Sequence, residues 1–516
     1  GAMHGMRALH SALPGRLHLL AAGCRRAEDG PRNIMTTREL TRGGLKLDTN
    51  KQRSTARPLR AATIPDLLVL PVDQHAGSPA VPIVKPGDSV LRGQPIAEPG
   101  PGVSAWLHSP VSGLVRTIEP RPSALHRDPS LCIVIENDGA NRAFDGYPHP
   151  RDDSPQALRE HIARGGIVGL GGAIFPTGPK LLRAPERNVH LVVNGAECEP
   201  WISCDDMLMR ERADLVVAGA EIVCRALAAE RCTIAVEDDM VEAAAALRAA
   251  AAKSELSPEV VAVPSIYPAG GERQLIATLT GQEVPSGKLP QDIGIVCQNV
   301  GTVAAVARWI REGEPLIRRI VTVTGSATKE PANLEVCLGT PITTLIADCG
   351  GYAAAPARLI MGGTMMGIAL EHDRHVVVKG TNCIVAATLE DLAPPGPEMP
   401  CIRCGACAEV CPAFLLPQQL HRYVLAGELD NLDRYGLIDC IECGCCDYVC
   451  PSQIPLVKRF REAKPELVRY LDMRAMAPVS KASFEAREAR LARLEAERQA
   501  QLAEKRRALA KKTENS

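Results

Sequence analysis

The chain has 516 residues, too many for one hydrophobic core, so several domains are expected. Its 59 basic and 60 acidic residues leave a formal net charge of -1, which excludes a global field that would draw nucleic acid or an acidic ligand. Every apolar stretch is interrupted by charge, Gly or Pro before the roughly 18 residues a membrane helix needs, so any membrane role is expected to be peripheral.

Residues 1–60 mix Arg, Lys, Gly and Thr without sustained periodicity and read as an irregular leader. Within it, Leu17 to Cys24 ends Leu-Ala-Ala-Gly-Cys, superficially like a lipoprotein cleavage site. Pro14, Gly15 and Arg16 break the apolar stretch, so a disordered leader fits better, with Met35 an alternative start.

Residues 61–135 carry short strand signals punctuated by turns, around Ile83 to Ala97 and His108 to Val115. The two arms resemble the barrel-sandwich hairpins of biotinyl and lipoyl domains. No lysine lies between Glu98 and Leu107, where a carrier domain would place one, so a structural β domain is expected.

Residues 136–312 alternate strand and helix patterns. His190 to Asn194, Cys232 to Val236 and Val260 to Val263 read as strands; Asp205 to Leu227, Val241 to Ala252 and Glu272 to Leu279 read as helices. Alternation of this kind predicts a parallel sheet covered on both faces, hence a Rossmann-like α/β domain. Three loops stand out. Gly165 to Lys180 is glycine-rich, so that backbone N–H groups could approach a phosphate, with Lys180 adding charge. Asn194 to Pro200 follows a strand directly, where ligands sit in α/β sheets. Tyr267 to Gln274 opens a helix whose first N–H groups could face an anion.

Residues 313–390 read as a small mixed domain, with Ile320 to Gly325 and Asn333 to Ile342 as strands and a turn. Pro394 to Pro397 is expected as a linker into the segment 391–460. Residues 461–516 are expected as a helical tail, solvated after Lys481, where it is rich in Ala, Glu, Arg, Leu and Lys, with Leu491, Leu494 and Leu502 too sparse for a wide apolar stripe.

Nine of the 19 cysteines fall between Cys401 and Cys450, which argues for bound metal rather than disulfides. Cys401, Cys404, Cys407 and Cys411-Pro412 match C-x2-C-x2-C-x3-C-P, and Cys440, Cys443, Cys446 and Cys450-Pro451 match it again. In this pattern three thiolates of one loop hold a [4Fe-4S] cubane and the fourth comes from the other copy. The expected sets are Cys401, Cys404, Cys407 with Cys450, and Cys440, Cys443, Cys446 with Cys411. Structural zinc is the alternative, but zinc ribbons pair C-x2-C units over a longer span. Cys445 is a fifth cysteine of the second copy, read as a spare thiol.

The Gly-Gly-Ala-Ile-Phe-Pro-Thr-Gly-Pro-Lys loop, the Asn-Gly-Ala-Glu-Cys-Glu-Pro turn and the Gly-Gly-Glu-Arg-Gln helix start resemble the flavin-binding module of the NADH-oxidising 51 kDa subunit of respiratory complex I. The full order runs from a lysine-less barrel-sandwich through the flavin module and a β-grasp (SLBB-type) domain at 313–390 to a helical two-cluster ferredoxin-like domain. That order resembles the RnfC family of the Rnf electron-transport complex, over roughly residues 60 to 460.

The resemblance implies FMN, two [4Fe-4S] clusters and NADH as substrate, in a peripheral bacterial subunit on the cytoplasmic face of the inner membrane. The implied partners are integral membrane and iron–sulfur subunits and ferredoxin or flavodoxin, with electrons exchanged between NADH and ferredoxin. By the same resemblance Gly169, Gly171, Gly172, Phe175, Thr177 and Lys180 would surround the flavin phosphate and ribityl chain. Asn194, Glu197 and Glu199 would lie by the isoalloxazine and nicotinamide, and Gly270, Gly271, Glu272 and Arg273 would complete the pocket. Leu170 stands where the complex I module has an arginine. No side-chain nucleophile, acid or base is expected, because the cofactors carry the chemistry. Two alternatives use the same modules: a diaphorase subunit of a soluble hydrogenase or formate dehydrogenase, and a flavin-free iron–sulfur relay.

Overall fold

A computed structural model describes residues 43–514 except 126–127, 148–151, 153, 186 and 393–395. The Leu17 to Cys24 stretch, Met35 and the Pro394-Pro395 pair lie outside the described residues. The chain divides into two compact units, one running to Phe414 and including Cys443–Ile454, the other made of Leu415–Glu442 and Pro455–Ser516. No helix among the described residues is long and apolar enough to cross a membrane.

Three modules make up the larger unit. The first is a β sandwich whose sheets are built from Leu67–Pro71, Ser130–Asn137, Gly113–Arg121 and Ser89–Val90, and from Val81–Pro82, Pro95–Glu98 and Leu107–His108. Alternate residues such as Leu68, Leu70, Ile133 and Ile135 point inward and are fully buried, as a strand period of two requires. This core is continuous with that of the β-grasp sheet, which includes the strands Ala332–Cys337, Arg318–Thr324, Cys383–Ala387 and Arg358–Met361 and in which Val321, Val323, Leu334 and Val336 are buried.

The flavin-type module has a four-stranded sheet in the order Glu259–Val263, Arg231–Glu237, His190–Gly195, Ile295–Asn299, with every pair parallel. Val193 and Val296 face a core shared with the helices Ala213–Leu227 and Val300–Glu312. Val192 and Cys297 face the helix Glu272–Thr280. The sheet is therefore covered on both faces, as the alternating pattern predicts. Gly219 lets two of these helices touch backbone to backbone, since a Cβ there would stand 1.8 Å from the Val303 carbonyl oxygen.

Two local readings differ. The stretch expected as one helix from Asp205 to Leu227 is two, Cys204–Glu211 and Ala213–Leu227, broken at Arg212, whose φ is -136°. Arg212 leaves the helical path and its guanidinium pairs with Glu335 of the β-grasp sheet at 2.8 Å. A hydrophobic pattern has no means of reporting that long-range pair.

Residues 43–61, expected as part of an irregular leader, hold a short helix, Gln52–Thr55, and a two-residue strand, Arg60–Ala61, parallel to Leu334 and Glu335. This segment is a strap across the larger unit. Leu45 bridges Tyr267, the Trp201 N–H donates to the Thr49 carbonyl at 2.7 Å, and Lys51 is buried against Glu237. Its anchors are backbone groups and one buried lysine, none of which produces periodicity.

In the smaller unit, the helix Pro417–Ala426 packs on the long helix Leu456–Glu514. Leu420, Leu432, Phe460 and Leu467 are buried there, and Lys464 and Arg461 both pair with Glu442. Described side chains from Asp472 onward are exposed, which matches the solvated tail read from composition.

Candidate functional site

The order in which strands join the sheet reverses between the parallel strands His190–Gly195 and Ile295–Asn299, and ligands of open α/β sheets bind outside the strand C-termini at such a point. The glycine-rich loop is carried there. A bridge between Val168 and Pro176 closes its base, and Leu170 N–H donates to Thr302 Oγ1 at 2.9 Å on the helix that follows the last strand. Gly171 and Gly172 are exposed at its tip. Gly172 has φ +110° with open space where a side chain would project, a conformation that favours glycine and leaves its backbone accessible.

Lys180, on the short helix Thr177–Leu182 after the loop, reaches the same edge. Its Nζ donates to Glu272 Oε1 at 2.7 Å and to the Cys297 carbonyl at 2.6 Å. The loop, the Glu272 helix start and the last strand are thereby gathered around one cation. Asn194, at the end of the central strand, donates through Nδ2 to the Gly270 carbonyl at 2.8 Å. A Cβ on Gly270 would stand 2.2 Å from the Ala196 carbonyl oxygen, so the two turns meet as bare backbone. Thr177 Oγ1 is buried without a hydrogen-bond partner in the structure, and so is Gln298 Nε2 on the last strand.

Other residues singled out in the sequence are committed elsewhere. Glu197 turns inward, where Oε1 accepts from Asp205 N–H at 3.0 Å and Oε2 from Asp206 N–H at 3.2 Å at the start of the Cys204–Glu211 helix. Burial raises its pKa, and the nearby Asp205 raises it further. Glu199 Oε1 accepts from the Met365 and Met366 N–H groups at 2.8 and 3.0 Å. Arg273 does not face the loop: Nη1 donates to the Val284 carbonyl at 3.0 Å and Nη2 to the Lys288 carbonyl at 2.7 Å. Phe175 contributes its carbonyl to Gly169 N–H at 2.9 Å, and Gly271 precedes the helix Glu272–Thr280 with extended backbone.

Two residues of this site, Asn299 and Arg319, carry no sequence signal strong enough to single them out. Asn299 caps the Val300–Glu312 helix and donates to Asp205 Oδ2 at 2.6 Å, directly beside Gly171. Its position, a cap residue directly after an apolar strand, is the available clue. Arg319 is buried and donates to the Leu170 carbonyl at 3.3 Å, so a guanidinium lies beneath the loop even though position 170 is leucine.

The two cysteine motifs adopt one backbone conformation twice. Arg403 and Glu442 have φ of +57° and +59°, Gly405 and Gly444 of +86° and +83°, and Phe414 and Gln453 of +53° and +51°. Each motif then runs into a four-residue helix, Ala406–Glu409 or Cys445–Tyr448. Cys401 and Cys404 are exposed, whereas Cys443, Cys445 and Cys446 are buried.

Residues 162–308 match the Nuo51 FMN-binding domain, 40–140 the RnfC barrel sandwich hybrid domain, 320–369 the SLBB domain and 399–454 a 4Fe-4S dicluster domain. The RnfC protein of the Rhodobacter capsulatus ion-translocating oxidoreductase complex is 42% identical over 433 residues, 83% of this chain and 83% of the relative. The chain belongs to the RnfC family of ion-translocating oxidoreductase complexes. The RnfC of Pseudomonas aeruginosa is 49% identical over 89% of this chain and 60% of the relative, and that of Vibrio cholerae 45% identical over 89% and 59%. The chain thus spans about three fifths of the length of these relatives. A crystal structure of an NAD+-reducing [NiFe]-hydrogenase in the H2-reduced state is similar at 18% identity, with a TM-score of 0.43 over 61% of each chain.

The cofactors of these RnfC-family domains are FMN and two [4Fe-4S] clusters, and the residues present suit both. For FMN, the loop offers accessible backbone at Gly172, a cation at Lys180 and a buried hydroxyl at Thr177 lacking a partner. For the clusters, soft thiolate donors sit on paired loops of equal conformation, which suits two alike polynuclear sites.

Proposed function

We propose that the chain is the peripheral NADH-oxidising subunit of a membrane-bound ion-translocating complex and passes electrons from NADH through FMN to two [4Fe-4S] clusters, exchanging them with ferredoxin or flavodoxin. The complex's integral membrane and iron–sulfur subunits are its partners, and the cytoplasmic face of the membrane is its location. The observation that carries this reading is the gathering of the glycine loop, Lys180, Asn194 and the Gly270–Glu272 turn at the C-terminal edge of the parallel sheet, on the same chain as two cubane-type cysteine loops.

In this reading Gly169, Gly171 and Gly172 present backbone N–H groups to the flavin phosphate, and Lys180, released from Glu272, supplies the positive charge. Phe175 holds the loop closed through its carbonyl, and Thr177 offers its hydroxyl to the ligand. Asn194, with Gly270 and Gly271, keeps the wall thin enough for two stacked rings. Glu272 faces the same opening. Glu197 and Glu199 shape the turn from behind, and Arg273 braces the rim. When bound, FMN supplies the exchange between two-electron hydride transfer and one-electron transfer.

The proposed cluster ligands are Cys401, Cys404, Cys407 and Cys450 for one cubane and Cys440, Cys443, Cys446 and Cys411 for the other. Anaerobic reconstitution tests the scheme. It predicts about eight irons and one FMN per chain, with flavin absorbance bleached by NADH. Zinc at the thiolates, or flavin that NADH leaves oxidised, would refute it. Co-purification with integral membrane subunits tests the assembly.

A further inference from the structure

The two cysteine loops differ in what surrounds them. Cys401 and Cys404 are exposed, and Ile402 between them is 67% exposed. Cys443, Cys445 and Cys446 are buried. What covers the second loop belongs to the flavin-type module and its neighbours. The Tyr267 hydroxyl donates to the Cys443 carbonyl at 2.5 Å, and the Tyr267 carbonyl lies 4.0 Å from Cys445 Sγ. A Cβ on Gly444 would stand 3.5 Å from both the Met365 carbonyl oxygen and Met365 Cε, and Met365 N–H is the group held by Glu199.

Tyr267 is itself fixed from three sides. It is buried, it exchanges two backbone hydrogen bonds with Leu45 of the strap, at 2.7 and 2.9 Å, and it begins the turn that ends at Gly270 and Glu272. Its hydroxyl also favours the charged form of the nearby Glu199 carboxylate. Tyr267 therefore stands between the Asn194–Pro200 turn and the backbone of a predicted cluster ligand.

We propose that the loop bearing Cys443 and Cys446 holds the cluster that receives electrons first, that Tyr267 is the positioning residue that fixes this loop against the nucleotide site, and that the exposed Cys401–Cys404 loop is the outlet to a redox partner. The inference rests on the functional reading above. Each step moves one electron: the donor is oxidised by one, the cluster reduced by one, and no bond forms or breaks. A buried entry cluster is shielded from solvent oxidants, while an exposed outlet lets a partner approach closely.

The test uses the full reconstituted chain and the variants Tyr267→Phe and Cys404→Ser, the latter to identify the outlet cluster by its altered EPR signal. Freeze-quenching after NADH addition should show the unmarked cluster reduced before the marked one. Tyr267→Phe should keep its iron and flavin content, change the EPR line shape or midpoint potential of the unmarked cluster alone, and slow its reduction by NADH by about tenfold or more. Earlier reduction of the marked cluster, or a Tyr267→Phe protein with both signals and the rate unchanged, overturns the proposal. Chemical reduction with dithionite is run in parallel. If NADH reduces neither cluster in the wild type, the functional reading falls, while the dithionite spectra of Tyr267→Phe still decide the positioning role.

Discussion

Lys180 Nζ stands 2.7 Å from Glu272 Oε1 and 2.6 Å from the Cys297 carbonyl, so one ammonium joins the glycine loop to the helix start and the strand end that face it. A phosphate entering this edge would find the cation already placed. Lys180→Met should weaken FMN binding by about tenfold or more, the worth of a charge-assisted hydrogen bond, and leave the iron content unchanged. Flavin retained after gel filtration at graded dilution measures this. Equal retention in both proteins would remove Lys180 from the phosphate site.

Gly270 tests the backbone contact between the two turns. Its Cβ would meet the Ala196 carbonyl oxygen at 2.2 Å, and a main-chain atom has no rotamer by which to yield. Gly270→Ala should separate the turns, lose flavin and lower the melting temperature. A variant that keeps wild-type flavin content would show that the turns can part without harm to the pocket.

Glu335 ties the β-grasp sheet to the flavin-type module through Arg212 at 2.8 Å and Arg308 at 2.6 Å. Burial opposes its charge, but the two guanidinium groups more than offset this and hold its carboxyl down to about 2. The folded pKa lies below the unfolded one, so the stabilisation is present above about pH 4.3 and is lost as pH falls toward 2. Glu335→Gln should cost about 1–3 kcal/mol near neutral pH, with the gap to wild type closing below pH 4. Denaturant unfolding at pH 7 and about pH 3 checks this, and a gap that widens on acidification would contradict it.

Lys379 predicts a slope of the same sign in a more alkaline window. It is fully buried, its Nζ donates to the Trp106 carbonyl at 2.7 Å and the Gly166 carbonyl at 2.8 Å, and burial lowers its pKa to about 7. His75 and His108 are the titratable groups beside it, and both are held neutral by burial and by this lysine. Between about pH 7 and pH 10 the unfolded chain binds a proton there that the folded chain does not, so stability rises with pH. Melting temperatures of wild type and Lys379→Met at pH 7 and pH 9 should show the wild type gaining on the variant. Parallel curves would mean the lysine stays charged in the fold.

The cysteine motifs and the glycine loop are legible in the sequence because their chemistry is local: spacing alone puts three thiols in one loop, and consecutive glycines alone leave a backbone bare. The parallel sheet is legible for a similar reason, since its buried strands are short apolar runs between helical patterns. Tyr267, Lys51 and Arg319 are not, because each acts through partners far away in the chain, and a tyrosine before a proline or a lysine in a polar leader has many unremarkable readings. Arg212 shows the same limit for secondary structure. Its helix-compatible surroundings predict continuity, whereas in the structure the break coincides with the ion pair to Glu335. The turn that bears Glu197 is legible, but the direction of its carboxylate is not, because the N–H groups of the next helix compete for it.

The most direct measurement is EPR spectroscopy of the anaerobically reconstituted chain after addition of NADH, with spins quantified against dithionite-reduced protein. Two interacting reduced [4Fe-4S] signals approaching about two spins per chain are predicted, appearing together with loss of oxidised FMN absorbance. Bleached flavin with no iron–sulfur signal would contradict electron passage from nucleotide to clusters within this chain.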